Sequence, residues 1–412
     1  MLNVKDNLKW TKSKVFLIGF NCILCIAIVV SAMMVVIDKS RIKNGAVYTG
    51  GKVSEEAVSG APSTFAAARL MIAGENTAYN TLTNQARLDD GGYDFYSAYS
   101  PIKAILDRAD IAMLTQSTVF DKDNEPSAAP NYNAPDELLD ALIKSGFDVY
   151  NQANDHIIDM GISGIKNDIA LFKSKKDTAT LTGIYETRDE MNEPTLCVIN
   201  DIIFSFVGIT EHLGGYSLSY DSDLGILSLS DTRISADELD SMMRQLINSA
   251  KRTSDIICVN IHWDSETNKK KQNELINELL DYGADVIVGT GVDELSPIRL
   301  ETNGDNENAV VVNSIGRLIS LQENAESMLS GIVDISVSKN FSTGIASVTS
   351  AKLIPTVTVY DEDYANLRVM PFSECTAETI EKHGFAEVDE SFTYSFIENK
   401  FKTLYGDKLE LE

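Results

Sequence analysis

The feature that most constrains this chain is a rhythm. Wholly apolar, strand-like runs alternate with amphipathic, helix-like ones. "AARLMIAG" comes first, then the helical "PIKAILDRA" and the strand "DIAML". "PDELLDALIKSG" leads into "FDVYNQA", and "GISGIKNDIALFKSK" precedes "DIIFSFVGI". "SADELDSMMRQLINSAKR" precedes "DIICVNI", and "KKQNELINELLDYG" precedes "ADVIVG" and "AVVVNS". Strands that are apolar on both faces must be covered on both sides, and helices between them supply crossovers and cover. The class this predicts is α/β with buried sheets.

Local signals sharpen the pattern. Ser235 is placed to N-cap its helix, with Glu238 three residues on as a capping box. That helix shows an apolar face of Leu239, Met242, Met243, Leu246 and Ile247. Gly283 stands where a left-handed C-terminal stop is expected. From about Gly331 the rhythm changes. "GIVDISVS", "IASVTSAKLIPTVTVY" and "LRVMPF" are strands with no helix between them, which predicts a β-rich cap or a second sheet. The last forty residues read as a partly helical tail.

Composition narrows the function. The 412 residues are 44% hydrophobic and carry a formal net charge of -26, and the first 43 residues are basic, so the rest is more acidic still. Such a body repels phosphate backbones, which excludes nucleic acid as an expected partner. It also suits a polyanionic polymer poorly, unless contact is local or made through cations. Five cysteines form no disulfide framework; Cys197 and Cys258 read as small buried hydrophobes.

"VFLIGFNCILCIAIVVSAMMVVI", Val15 to Ile37, is uncharged and long enough to span a bilayer as a helix. A cleaved signal peptide has a shorter apolar core, and here the run continues through the small-residue "VSA". Four lysines precede it and three basic residues follow, so the expected orientation is N-terminus inside. The small, polar, Gly-containing stretch after it reads as a tether. The expected layout is a cytoplasmic segment 1–14, a signal anchor 15–37, a flexible linker 38–64, an extracytoplasmic domain 65–372 and a tail 373–412. The protein is thus expected in the cell membrane, single-pass, held by this helix.

Two strand exits carry chemistry. "DVYNQANDHIIDMGISGI" gathers Asn154, Asp155 and His156 where an apolar run turns into a helix. "DIICVNIHWDSE" ends a strand on His262 and Trp263. Ligands of α/β proteins bind beyond the carboxyl ends of strands, so Glu75, Asn154, His156 and His262 are expected at one end of one sheet. There is no GxSxG elbow and no Walker A run. "GTG" at 289–291 lacks the third glycine of a dinucleotide loop.

With the order of segments, "ANDHIIDMG", "IHWD", "YGADVIVG" and "VVVNSIG" resemble the CapA family, proteins associated with poly-γ-glutamate capsule synthesis in bacteria. The resemblance covers about residues 65–320, more loosely to 371. It implies a four-layer α-β-β-α sandwich of the calcineurin-like metallophosphoesterase type, preceded here by one transmembrane helix. It also implies metal ligands at the strand exits, and the chain departs from the family at most of them. The family's Gly-Asp is Gly74-Glu75, and its Ala-Asn-Leu-Glu is Leu114-Thr115-Gln116-Ser117. Asp155 replaces an Asn and Asp264 a Gly. The histidine loop has become Gly289-Thr290-Gly291-Val292-Asp293, and Arg317 stands where Asn is common.

The surviving metal candidates are Glu75, Asp155, His156, His262 and Asp293, with His156 and His262 as catalytic candidates and Asn154 and Trp263 lining the pocket. A site with four to six donors is needed for zinc or manganese catalysis. The remaining set would hold at most one divalent ion, weakly. No other cofactor is implied. The expectation is a membrane-anchored, CapA-like binding or scaffolding protein with an eroded site, partnered by an anionic envelope polymer or by other capsule-synthesis membrane proteins. The alternative is an active metal-dependent hydrolase or transferase with a reduced site.

Overall fold

The computed structural model describes residues 47–48 and 64–410, apart from 306, 322, 323 and 409. The apolar run 15–37 lies outside the described residues. Among the described residues, no helix is long and apolar enough to cross a membrane.

Four parallel strands open the chain's first sheet: β1 (Phe65–Asn76), β2 (Ile111–Gln116), β3 (Val149–Asn151) and β4 (Thr180–Thr182). A second sheet follows, from β5 (Thr195–Ile199), β6 (Ile202–Thr210), β7 (Ile256–His262), β8 (Val286–Thr290), β9 (Arg299–Thr302) and β10 (Asn308–Val312). Its strands run in the order β5-β6-β7-β8-β10-β9, parallel through the middle and antiparallel at both of these flanks. The chain then returns to the first sheet as β11 (Leu329–Asn340), β12 (Ile345–Val359) and β13 (Arg368–Pro371).

That return corrects an expectation. The helix-free strands after Gly331 form neither a cap nor a sheet of their own. β11 pairs antiparallel with β1 from Asn340↔Phe65 to Ile332↔Ala73. The edge of β1 would otherwise present unpaired backbone groups along its length. "PIKAILDRA" is also less regular than expected: a 3₁₀ turn, Ser100–Ile102, runs into a single helical turn, Lys103–Leu106.

Alternation along the second sheet separates its two faces. Phe204, Phe206, Ile256, Cys258, Val286, Val288, Val310 and Val312 share a core with the first sheet's Leu70, Ile72 and Met113. The intervening Val207, Val259, Ile261, Ile287 and Val311 pack under two helices, α3 (Ala236–Thr253) and α4 (Lys269–Tyr282). Ser235 caps α3 by accepting from the Glu238 N–H, and Gly283 ends α4 at φ 104°. Two earlier helices, α1 (Asp136–Ser145) and α2 (Gly161–Ser174), bury Leu138, Leu139, Leu142 and Phe172 in the first sheet's core. In the C-terminal segment, α5 (Tyr394–Tyr405) buries Ile397 and Phe401, the latter 5.6 Å from the Phe372 ring.

At the entry ends of the parallel strands one device recurs four times. Asp110, Asp148, Asp255 and Asp285 each immediately precede a strand or its first residue. Each carboxylate accepts a neighbouring strand's N–H, from Arg69, Ala112, Ile203 and Ile257 respectively, at 2.8–2.9 Å. Each backbone N–H donates back to the carbonyl of that same neighbour. A buried N–H left without a partner costs about 1–3 kcal/mol. The aspartates therefore fix register where the sheets begin.

Candidate functional site

The exit ends of β1, β3 and β7 converge, but from two sheets. Glu75 lies in β1, and Asn154–His156 follow β3, both in the first sheet; His262 closes β7 in the second. The expectation of one sheet is thus corrected, while the shared end holds. Under the site, polar side chains tie the sheets together. Asn260 Oδ1 accepts from Thr115 Oγ1 at 2.8 Å and from Asn151 Nδ2 at 2.7 Å. Gln116 accepts from Asn76, which in turn accepts from the Tyr99 hydroxyl. The strand end that has lost its Asn/Glu pair is therefore committed to structure. Asn154 is committed as well: its amide donates to the Gln116 and Gln152 carbonyls, and its oxygen accepts from the His156 N–H.

Arg317 reaches this site through a close backbone crossing. Glu75 N donates to the Gly316 carbonyl, and Leu318 N donates to the Glu75 carbonyl. A Cβ on Gly74 would sit 2.4 Å from the Gly316 carbonyl oxygen, and Gly316 itself has φ 72°. Two glycines are needed for the crossing, and Arg317 follows directly.

The result is a chain of seven side chains with alternating charge type. Asp293 Oδ1 accepts from Arg317 Nε at 2.5 Å, and Glu75 Oε1 accepts from Arg317 Nη1 at 2.9 Å. Glu75 Oε2 is 3.5 Å from His262 Nε2, which is 3.5 Å from Asp155 Oδ1. Asp155 Oδ1 is 3.7 Å from His156 Nε2, and His156 Nδ1 is 3.0 Å from Asp159 Oδ2. The Tyr132 ring meets His156 edge-on at 4.6 Å. In the middle of the chain Glu75 Oε2, Asp155 Oδ1 and both His262 ring nitrogens are buried without a hydrogen-bond partner.

The electrostatics follow the sequence of charges. Burial is the largest single influence on Glu75 and pushes its pKa up, but Arg317 and then His262 outweigh it and hold the carboxyl well below the usual range. Burial opposes a charge on His262; Glu75 and Asp155 overcome it and raise its pKa. Burial likewise opposes a charge on His156, and the bond to Asp159 together with Asp155 raises its pKa. Tyr79 is half-buried, but its hydroxyl is buried, and burial pushes that hydroxyl up to about 12.

The donor set does not fit a two-ion hydrolytic centre. Among the described residues, no group of three or more His, Cys, Asp or Glu is gathered so as to hold a metal ion. Asp293 meets Glu75 only through the guanidinium of Arg317. Trp263 packs in the core beneath α3 and α4 and donates its indole N–H to the Asn313 carbonyl. His212 lies at the rim, 3.5 Å from Asp264, and His383 is engaged elsewhere with the Thr358 carbonyl.

In the sequence Arg317 stands out only as a departure from the family, and Asp159, Tyr79 and Tyr132 do not stand out. Asp159 had a signal, since it follows His156 at i+3. Arg317 had none, lying 242 residues from its partner Glu75.

A two-sheet α/β sandwich with a charged cluster at its strand exits defines the class. The family model of the bacterial capsule synthesis protein PGA_cap matches residues 69–322. The chain belongs to that family. It is 28% identical over 174 residues to the capsule biosynthesis protein CapA of Bacillus anthracis, covering 41% of each chain. It is 27% identical over 216 residues to the PGA biosynthesis protein CapA of Bacillus subtilis strain 168, covering 52% of this chain and 53% of that one. The chain thus spans about half the length of these relatives or less. A solved structure of a novel phosphatase of Mycoplasma pneumoniae superposes with a TM-score of 0.40 at 10% identity, covering 71% of this chain and 94% of that chain. A likeness at that score decides nothing.

Proposed function

We propose that this protein serves capsule or cell-envelope polymer synthesis or export, of the poly-γ-glutamate type, as a binding or scaffolding component with a degenerate catalytic site. Family membership supports the capsule role. The observation that carries the non-catalytic reading is Arg317, whose guanidinium is bonded to Glu75 and Asp293 inside the site. Metal catalysis needs a fixed ligand set and a water whose pKa the ion lowers. A resident guanidinium supplies positive charge but no open coordination position. The proposal includes a four-layer α-β-β-α sandwich of metallophosphoesterase type, a single anchor at 15–37, and an extracytoplasmic body. Its partners would be an anionic polymer or other capsule-synthesis membrane proteins.

The second reading, an active hydrolase or transferase, is favoured by the unpartnered donors of Glu75, Asp155 and His262. One assay separates the two. The purified protein is offered phosphoesters and γ-glutamyl peptides with manganese or zinc, beside a His156→Ala/His262→Ala variant. The expected result is no metal-stimulated turnover. Turnover that vanishes in the double variant establishes the second reading.

A further inference from the structure

Among the large apolar side chains left exposed, three meet at one place. Phe65, Phe341 and Ile345 are 54%, 45% and 55% exposed. Phe65 opens β1; its register partner Asn340 ends β11 and pairs in turn with Ile345, the first residue of β12. The three strands thus end in one row, Phe65–Asn340–Ile345, whose side chains share a face. Phe341 begins the turn and donates its N–H to the Thr64 carbonyl at 3.0 Å. No Asp, Glu, Lys or Arg occurs from Asn340 to Ala351, or from Ala57 to Ala68, in a chain whose net charge is -26. Among the groups that line a cavity with Gly344, Ile345 and Ala346, Asp255 is matched by Lys339 and Asp305 by Lys251.

We propose that this uncharged hairpin tip rests in the headgroup layer of the lipid bilayer that holds the apolar run 15–37, so that the sandwich stands on the entry end of β1 and turns the strand-exit cluster away from the membrane. This rests on the anchor reading above. Thr64, which bonds the tip, is also the last residue of the 38–64 tether, so the tether arrives at the tip. A tether of that length keeps the body within roughly 30 Å of the bilayer, where even a weak contact has a high effective concentration. Large apolar side chains exposed on a hairpin turn gain by leaving water for the boundary between headgroups and acyl chains. The strongly acidic remainder of the body is held off from anionic lipid, which leaves the uncharged tip as the surface that can approach. β1 carries the chain from Phe65 to Glu75, roughly 30 Å at the rise of a strand, and so sets the height of the site above the lipid. A ligand of that site must extend from the membrane or come from outside it.

The test is fluorescence quenching in the full-length protein, reconstituted in phosphatidylcholine vesicles. Cys22→Ser/Cys25→Ser leaves Cys197, Cys258 and Cys375, all buried, so a nitrobenzoxadiazole label goes to a cysteine introduced by Ser342→Cys at the tip or by Tyr220→Cys as control. Tyr220 is 78% exposed, in the loop beyond the exit end of β6. With a nitroxide on the acyl chains near the headgroup, the label at 342 should lose about half its emission or more, and the label at 220 less than about a tenth. Adding Phe341→Ser/Ile345→Ser should reduce the quenching at 342 about threefold or more, with circular dichroism to check folding. Equal quenching at 342 and 220 overturns the inference. So does quenching at 342 that the serine pair leaves unchanged, since the label would then insert by itself. Should the serine variant not fold, the difference between 342 and 220 decides alone. A protein that does not float with the vesicles shows the anchor reading itself to be wrong, and the inference falls with it; flotation with an unquenched tip overturns the inference alone.

Discussion

The two ends of the sheet sandwich use carboxylates in opposite ways. At the entry end, Asp110, Asp148, Asp255 and Asp285 each accept a backbone N–H from the adjoining strand. At the exit end, Glu75 and Asp155 each keep an oxygen that accepts nothing, facing histidine and arginine rather than backbone. Residue type and burial alone do not distinguish the two groups. Partnering does. An oxygen satisfied by backbone fixes register, while one left unsatisfied among charged side chains is what a binding site requires.

The largest effect that would break this comparison lies in the Glu75–Arg317 pair. Glu75 is only 1% exposed, and its removal leaves the Arg317 guanidinium with Asp293 as its one remaining carboxylate partner. Glu75→Ala should destabilise the protein by about 3–5 kcal/mol in urea unfolding, the usual loss when one partner of a buried ion pair is deleted. A loss within experimental error would show that the pair is not buried in solution.

The entry end predicts a pH effect. Burial pushes Asp285 up to about 7, with the Ile257 N–H opposing and Glu307 and Asp305 adding to the rise. Its unfolded pKa is about 3.9. Between those values the folded state binds the additional proton. The stability from Asp285 is therefore full below about pH 4, falls as pH rises, and is gone above about pH 7. Asp285→Asn should flatten the pH dependence of stability in urea unfolding across that window, an effect on the order of 4 kcal/mol. An unchanged slope would show that Asp285 is ionised throughout.

Much of this fold was legible in the sequence, for a physical reason. Central parallel strands are apolar on both faces, so "DIICVNI" and "ADVIVG" announce themselves, and Ser235 and Gly283 mark helix ends by local chemistry. Edge strands were less legible. Arg299–Thr302 alternates half-buried with exposed residues and reads like a loop. The return of β11 to β1 was hidden, since pairing partners some 270 residues apart leave no local trace. The site divided in the same way. His156 and His262 were visible as strand-exit residues, and the i+3 spacing of Asp159 was there to be read. Arg317 gained its meaning only through the crossing at Gly74 and Gly316.

The most direct measurement of the central claim sets one carboxylate from each end side by side. Asp148→Ala and Asp155→Ala are unfolded in urea near pH 8. Asp148→Ala leaves the buried Ala112 N–H without its acceptor and should cost about 1–3 kcal/mol. Asp155→Ala removes an oxygen with no hydrogen bond to lose, only a charge facing His262 and His156, and should cost less stability than Asp148→Ala. A loss at Asp155 equal to that at Asp148 would contradict the account, because the unpartnered Asp155 oxygen would then be holding the fold rather than furnishing a site.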